Sequence, residues 1–182
     1  KGNPSDNFLG RKKCETKEEE EMSEGSMVTM TDSDYKTPKS NSGVVILQKW
    51  GNALYMIERI SRLQSTTALS TAEAELYATV LGASAAIGWK HLEDELRGDD
   101  GTTVLQFCDA SAAIAVAHRQ GAARRTRHIR ARIYWIQDMM SFKWIQLREI
   151  QGKQNLADGL TKSKTWSDDE KRAFGVLGEA KG

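Results

Sequence analysis

Three strand-forming segments come before any helix signal, and that order constrains the fold more than any other feature of the sequence. Met27-Val28-Thr29-Met30-Thr31 alternates as a half-buried strand does. Gly43-Val44-Val45-Ile46-Leu47 is continuously apolar, which predicts a central strand covered on both faces. Trp50-Gly51-Asn52 reads as a hairpin turn, and Ala53 to Ile60 as the returning strand. The first helix then opens on Ser70-Thr71-Ala72-Glu73, a capping box with Ser70 as N-cap. Leu76, Val80, Ala83 and Ile87 recur at helical spacing, so this helix is predicted over 71–96. Gly82 and Gly88 each cost it about 1 kcal/mol against Ala, which points to close packing on a sheet. Arg97-Gly98-Asp99-Asp100-Gly101 ends it.

The remainder alternates. Thr103 to Cys108 is predicted as a strand and Ser111 to His118 as a short Ala-rich helix. Ile129, Ile133, Ile136 and Met140 form a second helical stripe, Phe142 to Ile150 a strand, and Asn155 to Thr161 a helical turn. Ser167-Asp168-Asp169-Glu170 repeats the capping box before a last short helix carrying Phe174 and Leu177. The order β-β-β-α-β-α-α-β-α suits an α/β sandwich on a mixed five-stranded sheet.

Residues 1–25 are charged, with an acidic run at Glu18 to Glu21, and are expected as a disordered linker. One domain is expected over 26–165, and a short helix with a tail over 166–182. The chain begins with Lys1, as a fragment of a larger polypeptide would. No apolar run approaches the roughly 20 residues that cross a bilayer, so no membrane partner is expected. Cys14 and Cys108 lack C-x-x-C spacing. That argues against a disulfide framework or a structural zinc site and makes a reducing compartment the default.

Four acids fall at element ends: Asp32 after the first strand, Glu75 in the first turns of the long helix, Asp109 after the fourth strand, and Asp158 near the C-terminus. If strands one and four are neighbours, Asp32 and Asp109 emerge side by side, and the helix N-terminus brings in Glu75. Crowded carboxylates raise one another's pKa unless a cation neutralises them, and such oxygen ligands select Mg²⁺ or Mn²⁺. A pair of ions there would suit phosphodiester hydrolysis. The competing account makes the same acids turn, cap and surface residues. Formal net charge is only +1, but Arg119, Arg124, Arg125, Arg127, Arg130 and Arg132 occupy one stretch without an acid. Such local sign suits phosphate contacts as well as it suits a solvated face.

Several segments are recognisable together. Ser61-Arg62-Leu63-Gln64 followed by Ala68-Leu69-Ser70-Thr71-Ala72-Glu73-Ala74-Glu75 resembles the S-x-x-Q…A-L-S-S-x-E-A-E segment of copia-type ribonuclease H domains. Phe107 to Ile114 is similar to their C-D-N-x-S-A-I, Arg127-His128-Ile129 to K-H-I, and Asn155 to Lys162 to L-A-D-x-L-T-K. Thr31 to Tyr35 and Ser42-Gly43-Val44 echo the opening S-D-A-D-W…S-T-S-G. The likeness runs over roughly residues 27–165, in order and at the family's spacing.

The resemblance implies a ribonuclease H-like sandwich with sheet order 3-2-1-4-5. It implies an endonuclease that cuts the RNA strand of RNA–DNA hybrids during reverse transcription, beside an upstream reverse transcriptase domain of one polyprotein. It further implies two Mg²⁺ (or Mn²⁺) ions held by Asp32, Glu75, Asp109 and Asp158. Asp32 is taken over Asp34 because it directly follows the strand. Glu75 is taken over Glu73 because Leu76-Tyr77-Ala78 follows it and Glu73 is claimed by the cap. Arg124, Arg125, Arg127 and Ser111 are the expected nucleic-acid contacts, reading A-form shape and 2′-hydroxyls rather than sequence.

Departures stand beside the matches. Ala110 replaces an Asn, Arg130 replaces the acid of K-H-I-D, and the opening motif lacks its Ala-Gly. The loop before the last acid is Gln151-Gly152-Lys153, without the mobile His of some superfamily members. His128 is expected to be structural, and the tryptophans to pack rather than stack on bases. Other classes remain open: a degenerate domain that only binds nucleic acid or packs on its neighbour, and another superfamily nuclease such as a transposase or junction resolvase. The expected location is intracellular, in a cytoplasmic virus-like particle or the nucleus.

Overall fold

A computed structural model describes residues 11–13, 25–51, 53–98, 103–119, 121 and 124–162, without the side chains of 11–13 and 124–126. Arg11–Lys13 forms a short strand, β1. The meander follows as β2 (Met27–Asp34), β3 (Asn41–Trp50) and β4 (Ala53–Leu63), each antiparallel to the next. Gly51 closes the β3–β4 turn at φ 57°, a conformation that disfavours any residue with a Cβ. The capped helix is α1 (Thr71–Arg97), and Gly98 ends it in the left-handed conformation at φ 70°. Then come β5 (Val104–Cys108), α2 (Ser111–His118), a 3₁₀ segment at Arg124–Ile129, α3 (Arg130–Ser141) and β6 (Ile145–Glu149). A 3₁₀ turn at Gly152–Gln154 leads into α4 (Asp158–Thr161).

The sheet order is β1-β4-β3-β2-β5-β6, with β5 parallel to both β2 and β6. Its last five strands reproduce the expected order 3-2-1-4-5 among flanking helices. The sixth strand is a correction. β1 belongs to the stretch expected as a linker, and it pairs with the edge strand β4 through Arg11↔Tyr55 to Lys13↔Ala53. An edge strand offers a row of unpaired backbone groups, which a short segment satisfies without any apolar side chain. The rest of 1–24 and the expected helix and tail of 166–182 lie outside the described residues.

The continuous apolar run of β3 has the double cover its composition predicts. Val44 and Ile46 face α1 and α3, against Leu76, Ala83, Ile133 and Ile136. Val45 and Leu47 face the other way, with Val28, Met30, Leu105 and Phe107, under Ile150, Ala157, Leu156 and Leu160. The C-terminal segment is therefore held down by apolar burial on the face opposite the long helix. Gly82 has the packing role its position suggested, since a methyl there would overlap the Thr31 side chain. Gly88 does not, because nothing lies within 4 Å of an added Cβ.

Several strand limits differ from expectation, among them those of β3, which runs over Asn41–Trp50 rather than Gly43 to Leu47. β2 continues past Thr31 because β3 still pairs with it as far as Asp34↔Asn41. β4 likewise runs to Leu63, opposite Asn41. β6 begins at Ile145 rather than Phe142. Phe142 caps α3 through its N–H on Asp138 O, and Lys143 turns the chain at φ 60°.

Candidate active site

Parallel pairing of β2 with β5 stops at Thr31↔Cys108. The next residue on each strand is an acid, so Asp32 and Asp109 leave the sheet side by side. Asp32 does not end its strand, as the sequence suggested; it still pairs with Gly43 on β3. α1 brings in Glu75, whose Oε1 accepts from the Ser33 backbone N–H at 3.2 Å. The C-terminal segment supplies Asp158, the first residue of α4. It is fastened by Asn155, which donates to Thr31 O at 2.9 Å and accepts from the Ala157 N–H at 3.1 Å. Thr161 donates its hydroxyl to Asp32 Oδ2.

Two glycines let this segment approach. A Cβ on Gly43 would lie 2.7 Å from Ala157 O, and one on Gly152 would lie 3.2 Å from Asp109 Oδ2. Side chains at either place would push Asp158 or Asp109 aside.

Three of these carboxylates, Asp32, Glu75 and Asp109, are shifted in the same direction. Burial pushes the Glu75 carboxyl up to about 8, with the charges of Asp32 and Asp109 adding to the shift. Burial likewise raises Asp32, helped by Asp109 and Asp158 and opposed by the Thr161 hydroxyl. Asp109 is raised by burial and by Asp158. Lys162 ion-pairs with Asp158, and its charge works against the rise at Asp32, Glu75 and Asp109. Its own pKa is raised, mainly by the bond to Asp158.

Glu75 is 5% exposed, and its Oε2 is a buried oxygen without a hydrogen-bond partner among the described residues. A buried carboxylate oxygen without a donor costs on the order of 1–3 kcal/mol, more if charged. A bound divalent cation would remove that cost and lower all the raised pKa values together. The oxygens of the four acids suit hard ions of the Mg²⁺ or Mn²⁺ class.

The neighbouring acids have other occupations. Asp34 ion-pairs with Lys36. Glu73 accepts from the Leu69 N–H, the Tyr77 hydroxyl and His128, at 3.1, 2.5 and 2.9 Å. His128 thus has the structural partner expected of it. The Ser70 hydroxyl accepts from Glu73 N–H at 3.2 Å, while the Glu73 carboxylate reaches back to Leu69 rather than to Ser70 itself.

The expected nucleic-acid contacts are less gathered. Ser111 is exposed at the start of α2, two residues beyond Asp109. Arg124, Arg125 and Arg127 lie on the 3₁₀ segment; Arg127 is exposed, and the other two side chains lie outside the described residues. A cavity of about 230 Å³ opens beside the end of β4, lined by Arg62, Gln64, Tyr77 and Arg132 among others. Arg132 stacks on the Tyr77 ring at 4.6 Å. Arg62, Asn155, Thr161 and Lys162 were not singled out from sequence, although Asp158 and Lys162 stand at i, i+4 on the last helical turn. Trp50 is half exposed, with Arg97 5.3 Å above its ring, and Trp89 donates to Glu58 at 2.6 Å. Trp166 lies outside the described residues.

No protein-family model matches the chain. Over 129 residues it is 31% identical to the retrovirus-related Pol polyprotein from transposon TNT 1-94 of Nicotiana tabacum, a match covering 71% of this chain and 9% of that protein. The crystal structure of LC11-RNase H1 in complex with RNA/DNA hybrid superposes with a TM-score of 0.52 at 17% identity, over 74% of this chain and 93% of that one. The prototype foamy virus protease-reverse transcriptase superposes at 0.56 and 16% identity, over 81% of this chain and 21% of that one. At such identities the superpositions establish the fold, while the sequence match establishes descent. The chain is a homologue of a retrovirus-related transposon Pol polyprotein, of which it spans a small part, and its fold is that of ribonuclease H.

Proposed function

We propose that this chain is the ribonuclease H part of a copia-type retrotransposon polyprotein. It hydrolyses the RNA strand of RNA–DNA hybrids beside a reverse transcriptase domain, inside the cell in a virus-like particle or the nucleus. What supports this reading is the mutual influence of Asp32, Glu75 and Asp109, with Asp158 acting on Asp32 and Asp109, beside a buried Glu75 oxygen that has no donor among the described residues.

Those four acids would hold divalent cations, two in the reading favoured here. When bound, such ions activate a water and stabilise the leaving oxygen. The chain's own residues set up the site. The Ser33 N–H fixes one oxygen of Glu75, and the Thr161 hydroxyl orients Asp32. Asn155 ties the last segment to β2, which keeps Asp158 opposite the strand acids. Lys162 lies on Asp158, where it offsets part of the repulsion before any ion arrives. Arg127, Ser111 and the two arginines of the cavity, Arg62 and Arg132, supply donors for backbone phosphates and 2′-hydroxyls. Arg124 and Arg125 belong to the same basic stretch.

The test is cleavage of an RNA–DNA hybrid and of duplex DNA by wild type and Glu75→Gln, with Mg²⁺ or Mn²⁺. Wild type should cut only the RNA strand, and the variant neither. Equal rates for the two proteins, including none for both, would leave a nucleic-acid-binding or structural module. Cutting of duplex DNA would place the chain with the superfamily's DNA nucleases.

A further inference from the structure

Beneath the acids lies a thiol that the proposed chemistry does not use. Cys108, the last residue of β5, is fully buried. Its Sγ, one carboxylate oxygen of Glu75 and one of Asp109 lie within 4.8 Å of one another. Tight zinc coordination uses bonds of about 2.3 Å to sulfur and 2.0–2.2 Å to carboxylate oxygen. Donors on such an ion sit about 3.5–4 Å apart, so movements of an ångström or less in the side chains complete the geometry. Two observations separate this group from a core cysteine beside two acids. Glu75 is 5% exposed and has one carboxylate oxygen with no donor. The sulfur is engaged only weakly, accepting from the Ala110 N–H at 3.4 Å, while the neighbouring Thr79 hydroxyl donates to the Glu75 carbonyl.

We infer that Cys108, Glu75 and Asp109 form a second, overlapping cation site that takes a thiophilic divalent ion of the Zn²⁺ or Cd²⁺ class. The inference rests on reading these acids as cation ligands, not on hybrid cleavage. Hard ions refuse sulfur and use the oxygens of all four acids; soft ions accept it and are drawn towards β5. On binding, the Cys108 S–H bond and the O–H bond of a protonated Glu75 break, their protons pass to solvent, and sulfur–metal and oxygen–metal bonds form, with no change in oxidation state. A thiophilic ion so placed engages Glu75 and Asp109 away from Asp32 and Asp158, and it antagonises any activity that needs all four.

The test is Cd²⁺ titration of metal-free Cys14→Ser protein, followed by the sulfur-to-cadmium charge-transfer absorbance in the ultraviolet. The expected result is a band saturating at one ion per chain. It should be absent from both Cys108→Ser and Cys108→Ala made in that background. Its midpoint should move at least tenfold to higher Cd²⁺ in Glu75→Gln or Asp109→Asn. No band from protein shown to be folded by circular dichroism would overturn the inference, as would a midpoint unmoved by either acid variant. Calorimetry with Mn²⁺ on the same samples keeps the two proposals apart. Mn²⁺ binding without the cadmium band sinks the thiol site alone, whereas the band without Mn²⁺ binding sinks the nuclease site and leaves this one standing.

Discussion

Glu73 and Glu75 stand two residues apart on one helix, each only 5% exposed, but the Glu75 carboxyl lies deeper and their protons behave oppositely. Around Glu73 the fold supplies the Tyr77 hydroxyl, His128 and the Leu69 N–H, and together these outweigh burial and lower its pKa. Around Glu75 it supplies one backbone N–H and two further acids, so burial prevails and the carboxyl is pushed up to about 8. The cap end of α1 is therefore fully hydrogen-bonded, whereas at the sheet end one Glu75 oxygen has no donor among the described residues. Burial alone marks neither as functional; the unmet demand of the partners does.

The comparison breaks first on cleavage. Ligation of ions that supply several kcal/mol of transition-state stabilisation makes Glu75→Gln cost at least about a thousandfold in hybrid cleavage. Glu73→Gln removes only structural hydrogen bonds and should stay within about tenfold of wild type in single-turnover assays. Similar losses in both variants would end the distinction.

Stability against pH in chelator is the next test, because the two shifts have opposite signs. Glu73 has a lowered pKa, so its contribution is present above its ordinary value of 4.5 and is lost as pH falls through the lower folded value. Glu75 has a raised pKa, so its contribution is present below 4.5 and is lost as pH rises to about 8. Metal-free wild type should therefore lose on the order of 3 kcal/mol between pH 5 and 8 relative to Glu75→Gln, read from denaturant midpoints. Parallel pH profiles for the two proteins would show that Glu75 is not held protonated.

Much of this was legible before any coordinates. The succession of strands and the capped helix follow from periodicity and cap chemistry, because each is written in contiguous residues, whereas the sheet order came with the family resemblance. β1 was not legible, since Arg11-Lys12-Lys13 carries no apolar alternation to mark it as a strand. Phe142 and Trp144 drew the last strand too early because they are apolar yet 63% and 39% exposed. The roles of Asn155 and Thr161 depend on β2 residues more than a hundred positions away. Only the folded chain reveals those partners.

A third test acts on the approach of the two regions rather than on either acid. A methyl on Gly43 cannot coexist with Ala157 O at 2.7 Å, so Gly43→Ala must lift the segment that carries Asp158. Misplacing a ligand by about 1 Å costs around a hundredfold. Glu73 and its partners lie elsewhere, so the cap should keep its contribution at neutral pH. Hybrid cleavage near the wild-type rate would mean that Asp158 is not needed where the fold holds it.

The smallest effect belongs to His128. Its side chain is 42% exposed, and it is one of three donors to Glu73. Pairs with an exposed partner contribute less than about 1 kcal/mol. His128→Gln leaves the Leu69 N–H and the Tyr77 hydroxyl in place, so the carboxylate stays satisfied. The expected changes are a fall of about 1–3 °C in melting temperature and a cleavage rate within about threefold of wild type. Redundancy of this kind is what the acid cluster lacks, where Glu75 has a single donor and one oxygen with none. If His128→Gln lost as much cleavage as Glu75→Gln, the histidine would act on the reacting atoms through Glu73, and the cap and the cluster would be one site rather than two.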